Sequence, residues 1–353
     1  MRKFFIFLVI FEIILLQSAF ARTFWAVKDG TPYQVEAELR KTGTHCYIYV
    51  AKDIENQVLK SDIKNFAREF DENIWPKERN FFGDPPDVDR DSKIYILILD
   101  IPDSDPNAVT LGYFWPDQEQ SYDKIEILYI DYIWGNITTL AHEFNHMIHY
   151  NYDKDEEPWI DEGLATFAEF YVYKTHASQK DSFLSNPDTT LVETNRDHFG
   201  VPNYGASYLF MLYLRDQYEE EIVKNILQDS GNGINSINNH LPSGIDFETV
   251  FKNWIIANYL DSPDIDSKYN YQSIEIKGKI YVWSTSCNPL KGAVTIKDLS
   301  PVNKWAADYI KVKLEENNFL LTSTFKGNTL SNLFSTLLYE NNLTWFDISS
   351  PLR

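Results

Sequence analysis

The segment His142-Glu143-Phe144-Asn145-His146 constrains this chain more than any other stretch. Residues four apart share a helical face, so a helix here aims both imidazoles at one point and keeps the glutamate beside the first of them. Two imidazoles and an adjacent carboxylate are the makings of a zinc site with its own proton acceptor. The other side of such a helix must be buried. Leu140, Phe144, Met147 and Ile148 supply an apolar stripe, and Asn136 stands where an N-cap belongs.

A catalytic zinc takes three protein ligands and leaves a further position for water. The pattern H-E-x-x-H-x-x-G-x-x-H would close the set with a third histidine, but this chain has His149 at the glycine position and Tyr152 at the last histidine. His149 also lies two turns from His142, about 10 Å of helical rise, too far for one ion to meet His142, His146 and His149 together. It reads as a helix C-terminal residue favoured by the dipole, or as part of the outer cleft. The run Trp159-Ile160-Asp161-Glu162-Gly163-Leu164-Ala165 follows Pro158, which suits a first helical turn. Glu162 is a candidate third ligand, a hard carboxylate that a second helix can deliver from opposite the first. Its competitors are Asp161, about 100° round the helix, and Glu169, two turns further on Glu162's face. Either could instead accept the outer N–H of a ligand histidine. Gly163 is expected to let this helix approach the H-E-x-x-H helix closely. A plain amphipathic helix with Trp159, Leu164 and Phe167 buried would explain the segment without chemistry.

H-E-F-x-H-M-I followed by W-x-x-E-G-L resembles the glutamate-ligand zinc peptidases, and is most similar to the hyicolysin-type secreted peptidases over roughly residues 24 to 260. That resemblance implies a zincin-like fold binding Zn²⁺ through His142, His146 and Glu162, with Glu143 as general base. The interval from His146 to Glu162 is shorter than in the zinc aminopeptidases. In those enzymes a tyrosine at the start of a later helix donates to the oxyanion, and Val201-Pro202-Asn203-Tyr204-Gly205 looks similar after one inserted residue. Tyr204 is therefore the candidate donor, with Tyr208 the alternate. The G-x-M-E-N segment that binds a free substrate amine in aminopeptidases is absent from the sequence, which favours an endopeptidase acting on peptides or proteins. Segment 111–115 or strand 126–130 is expected to offer an open edge where an extended peptide pairs.

The chain opens with Arg2 and Lys3, an apolar run from Phe4 to Leu16 and Ala19-Phe20-Ala21, which reads as a secretory signal peptide cut after Ala21. Glu12 interrupts this run, which is shorter than the ~20 residues a membrane span needs. An exported, soluble product without stable membrane insertion is expected. The net charge of −20 repels nucleic acid and would attract cationic ligands or calcium. Asp87, Asp89 and Asp91 open like a calcium loop, but its twelfth position is Ile98 and not a bidentate glutamate, so a polar turn explains them equally. Cys46 and Cys287 either pair in an oxidising compartment or stay separate.

These features predict an α+β architecture: a small N-terminal β unit over 22–52, a catalytic domain over 53–265 and a β-rich domain over 272–353. Periodicity predicts helices over 54–75, 205–228 and 246–260, and strands over 93–100 and 124–131. Two other functions fit the same sequence. One is a binding or adhesive protein on an inactive zincin-like fold; the other is a zinc hydrolase of non-peptide bonds.

Overall fold

A mixed sheet of six strands positions the H-E-x-x-H helix. The computed structural model describes residues 21–103, 109–117, 121–287 and 302–314, with short stretches at 335–337 and 346–348. The expected signal peptide and much of the expected C-terminal domain lie outside these residues.

Strands β1 (Ala21–Lys28), β2 (Thr31–Thr42), β3 (Cys46–Ala51), β4 (Ile94–Leu99), β5 (Gly112–Phe114) and β6 (Ile127–Asp131) lie in the order β1-β2-β3-β4-β6-β5. The pairs β3–β4 and β4–β6 are parallel, and the rest are antiparallel. Every residue of β4 and β6 is buried, which suits parallel strands covered on both faces and explains their apolar runs, interrupted only at the terminal Asp131 of β6. The N-terminal strands expected as a small β unit are continuous with this sheet, since Cys46 of β3 stands opposite Ile94 of β4.

Helix α1 (Lys60–Glu69) runs through a π-helical turn, Phe70–Ile74, into α2 (Trp75–Phe81). The helix thus begins later than its apolar period suggests, because Leu59 is extended. It also continues past Trp75, because Pro76 falls in the first turn of α2, where its missing N–H is tolerated. Helix α3 (Ile137–Tyr152) packs its Phe144 ring against Phe70 and Trp75, with centroids 5.0 and 5.6 Å away. Phe144 is fully buried, and burial of that size stabilises by about 1.5–3 kcal/mol.

Helix α4 (Pro158–Tyr173) lies between α3 and α6 (Val201–Tyr218), and both α4 and α6 are buried on nearly all sides, as a central helix must be. Short α5 (Gln179–Ser185) packs on α6, followed by α7 (Glu221–Leu227), α8 (Ile234–His240) and α9 (Phe247–Leu260). The long helix expected over 205–228 is interrupted at Glu219, whose φ of 74° ends α6. Asp246 caps α9 by accepting from Thr249 N–H at 2.9 Å. Beyond it, β7 (Trp283–Cys287) and β8 (Ile310–Leu314) pair in parallel, and β9 (Ser335–Leu337) pairs with β10 (Phe346–Ile348).

Cys46 is buried and free, and burial with the nearby Asp71 charge pushes its thiol up to about 12. The side chain of Cys287 lies outside the described residues. Among those residues no helix is long and apolar enough to cross a membrane.

Candidate metal centre

The end of β6 sets the entry to α3. Asp131 accepts from Ile101 N–H on one carboxylate oxygen and from Ile133 and Trp134 N–H on the other, which turns the chain toward the helix. Asn136 then accepts from Thr138 and Thr139 N–H, while its own N–H donates to Thr139 Oγ1, a reciprocal cap that fixes the first turn.

On the face of α3 opposite Phe144, His142 and His146 meet Glu162 of α4. Their Nε2 atoms lie 3.2 and 3.5 Å from the same Glu162 Oε2. One ligand atom from each of the three falls within 4.8 Å of the others. The alternatives take different places: Glu169 Oε1 accepts from His142 Nδ1–H and Asp161 Oδ1 accepts from His146 Nδ1–H, each at 2.9 Å. This leaves both Nε2 atoms directed at the shared point, with each ring's tilt set by a carboxylate behind it. Two imidazoles and a carboxylate, buried among further negative charge, fit a zinc ion in donor type and number.

The charges are strongly interdependent. Burial opposes ionisation of Glu162, yet His146 and His142 hold its carboxyl below the ordinary range. Burial also opposes protonation of His146, but Asp161 and Glu162 raise it to about 10. Glu143 is buried beside the trio. Burial raises its carboxyl, and the His142 and His146 charges offset this only in part; β5 packs against the same helix. Tyr204 is brought to the site, its ring 6.4 Å from that of His142. The Glu162 charge, then burial, raise its hydroxyl, which therefore stays a donor. Tyr208 turns away into the core, its hydroxyl 2.7 Å from His176 Nδ1.

Sequence reading missed Arg196. It lies in a single turn, Arg196–His198, and reaches back to Glu162 Oε1 at 2.9 Å and Asp161 Oδ2 at 2.6 Å. No periodic signal marks it, because its position follows from the fold of the loop before α6. Gly163 also differs from expectation. A Cβ there would stand 3.1 Å from Ser207 Cβ and 3.2 Å from Met211 Cγ, so the close approach is to α6 and not to α3. The reason is angular: one residue after Glu162, position 163 faces about 100° away from the metal helix.

Strand β5 ends the sheet, while residues 126–130 lie inside it, where β6 has partners on both sides. Asp87 and Asp89 gather with Glu126 in a possible cation group, whereas Asp91 is turned to the Tyr47 hydroxyl at 2.9 Å.

A helix pair presenting H-E-x-x-H against a glutamate is the arrangement of zincin-type metallopeptidases, and one curated relative is a metalloprotease. The chain is 30% identical to the neutral metalloprotease ShpI of Staphylococcus hyicus, over 60% of its own length. The match takes in 54% of that relative, so the chain spans about half of it. Among solved structures, a zinc metallopeptidase of Deinococcus radiodurans holding a Tyr-Ser-Ala substrate aligns over 72% of this chain and 61% of its own. Its TM-score of 0.31 at 10% identity is too low to carry an argument. No family model matches the chain.

Proposed function

We propose that this chain is an exported zinc endopeptidase. The observation that carries the reading is the convergence of His142, His146 and Glu162 with Glu143 buried against them. A zinc ion held by His142, His146 and Glu162 would acidify a water and polarise the scissile carbonyl.

Glu143 is the base that takes the attacking water's proton, and the same carboxyl returns it to the leaving amine. Its raised affinity for protons suits both steps. Tyr204 donates its hydroxyl proton as a hydrogen bond to the oxyanion, and Arg196, bound to Asp161 and Glu162, keeps that wall of the site in place. The outer edge of β5, which has no strand partner among the described residues, is where an extended peptide would lie, because β5 packs against α3, the helix that carries Glu143. Export rests on the sequence of residues 1–21.

The test is casein digestion beside zinc analysis. Glu143→Gln should cut casein about 100- to 10,000-fold more slowly while holding zinc as the wild type does. A Glu143→Gln enzyme as fast as wild type would sink the mechanism. Unchanged zinc affinity in Glu162→Ala would mean that another residue is the third ligand.

A further inference from the structure

At the far end of α3 a second group of metal-capable side chains stands apart from the first. His149 lies in the last turn of the helix, Asp153 is its C-cap, and Glu156 follows in the loop leading to α4. One ligand atom from each lies within 4.8 Å of the others, the same span that holds for His142, His146 and Glu162.

Two of these side chains are buried with an atom left over. His149 is 1% exposed and its Nε2 has no hydrogen-bond partner; Asp153 is 6% exposed and its Oδ2 has none either. A buried donor or acceptor without a partner is costly, and two at one place fit either a bound ion or an ordered water, between which the remaining donors decide. The other ring nitrogen of His149 is satisfied, since Nδ1–H donates to Asp161 Oδ1 at 2.9 Å. A ligating histidine has this form: the outer nitrogen is fixed by a carboxylate and the inner lone pair is free. Glu156 is anchored as well, its Oε1 accepting from Gly233 N–H at 2.7 Å, while Oε2 has only Ser236 Oγ at 3.4 Å.

Charge gives the same answer. The Asp155 carboxylate stands beside Asp153, and among the described residues no lysine or arginine forms an ion pair with Asp153 or Glu156. Lys154 lies over the Tyr150 ring, 5.4 Å from its centroid. The carboxylates gathered here would offset the charge of a divalent cation. One nitrogen with two carboxylates suits a zinc-class ion, whereas calcium takes oxygen alone.

We infer that His149, Asp153 and Glu156 form a second site for a zinc-class divalent cation, joined to the first centre through Asp161. The joint is a single atom. Asp161 Oδ1 accepts from His146 Nδ1–H and from His149 Nδ1–H, both at 2.9 Å. An ion on His149 therefore steadies the acceptor that orients His146.

The inference does not depend on peptidase activity, and its readout is a count. The full chain is loaded with zinc, dialysed exhaustively and analysed for metal. Two ions per chain are expected in the wild type and one in the His142→Ala, Glu162→Ala double variant, which keeps the second group whole. One ion in both proteins would also place metal at the second group, against the first-centre reading. One in the wild type with none in that double variant would overturn the second site and leave the first-centre reading standing. The near-isosteric Asp153→Asn, Glu156→Gln chain should lose one ion; a count still at two would overturn the inference.

Discussion

Asp161 orders both the proposed metal centre and His149 beside it, and Asp161→Ala tests that role. Its Oδ1 accepts from two imidazoles at 2.9 Å and its Oδ2 accepts from Arg196 at 2.6 Å. The side chain is 16% exposed, so water does not readily replace these bonds. Removing the carboxylate behind a ligating histidine weakens metal binding by about 10- to 100-fold, or about 1.4–2.8 kcal/mol. A second effect has the same sign. Arg196, released from Asp161, keeps its bond to Glu162 Oε1 and competes for a ligand. Asp161→Ala should therefore fall at the upper end of that range. The assay is zinc competition against a chromophoric chelator, with circular dichroism to show that the helices persist. A dissociation constant within about twofold of wild type in a folded variant would refute the reasoning, because the ring of His146 would then be oriented by packing alone.

Tyr204→Phe should lower kcat on a peptide substrate by about 100- to 1,000-fold with little change in KM, the signature of a donor that acts on the transition state. Equal kcat in the two proteins would remove Tyr204 from the mechanism. Glu126 gives a pH effect on stability: burial pushes its carboxyl up to about 7, above the unfolded value of about 4.3. Between these values the native state binds more protons than the unfolded state, so stability is full at low pH and falls as pH rises, by about 3.6 kcal/mol on reaching pH 8. Urea midpoints for wild type and Glu126→Gln should diverge across this window; parallel profiles would show that Glu126 does not carry the effect.

The chemistry-bearing helices were legible in the sequence for a physical reason. His142 and His146 share a face by period, Asn136 caps the helix locally, and Pro158 starts the next helix within its own first turn. Such signals act over a few residues. Arg196 enters the site from an irregular turn, so only the tertiary fold brings it to Asp161 and Glu162. Strand β5 spans only Gly112–Phe114, too few residues to show a period of two. The π-helical turn before Trp75 and the kink at Glu219 shifted helix limits for the same reason: each is a local backbone choice made under packing. The partner of His149 was hidden too, because Asp161 is committed to His146 and His149 at once, a sharing that spacing on α3 does not reveal.

The glycine contacts along α6 separate two properties of the site. Gly163 sets the distance between α4 and α6, while a Cβ on Gly205 would come within 2.2 Å of the Gln179 carbonyl oxygen at the crossing of α5 and α6. Tyr204 immediately precedes Gly205, whereas His142, His146 and Glu162 are carried by α3 and α4. Drift in the residues lining the α5–α6 crossing can thus alter turnover while metal retention stays as it was, so the two traits are free to evolve on separate parts of the molecule.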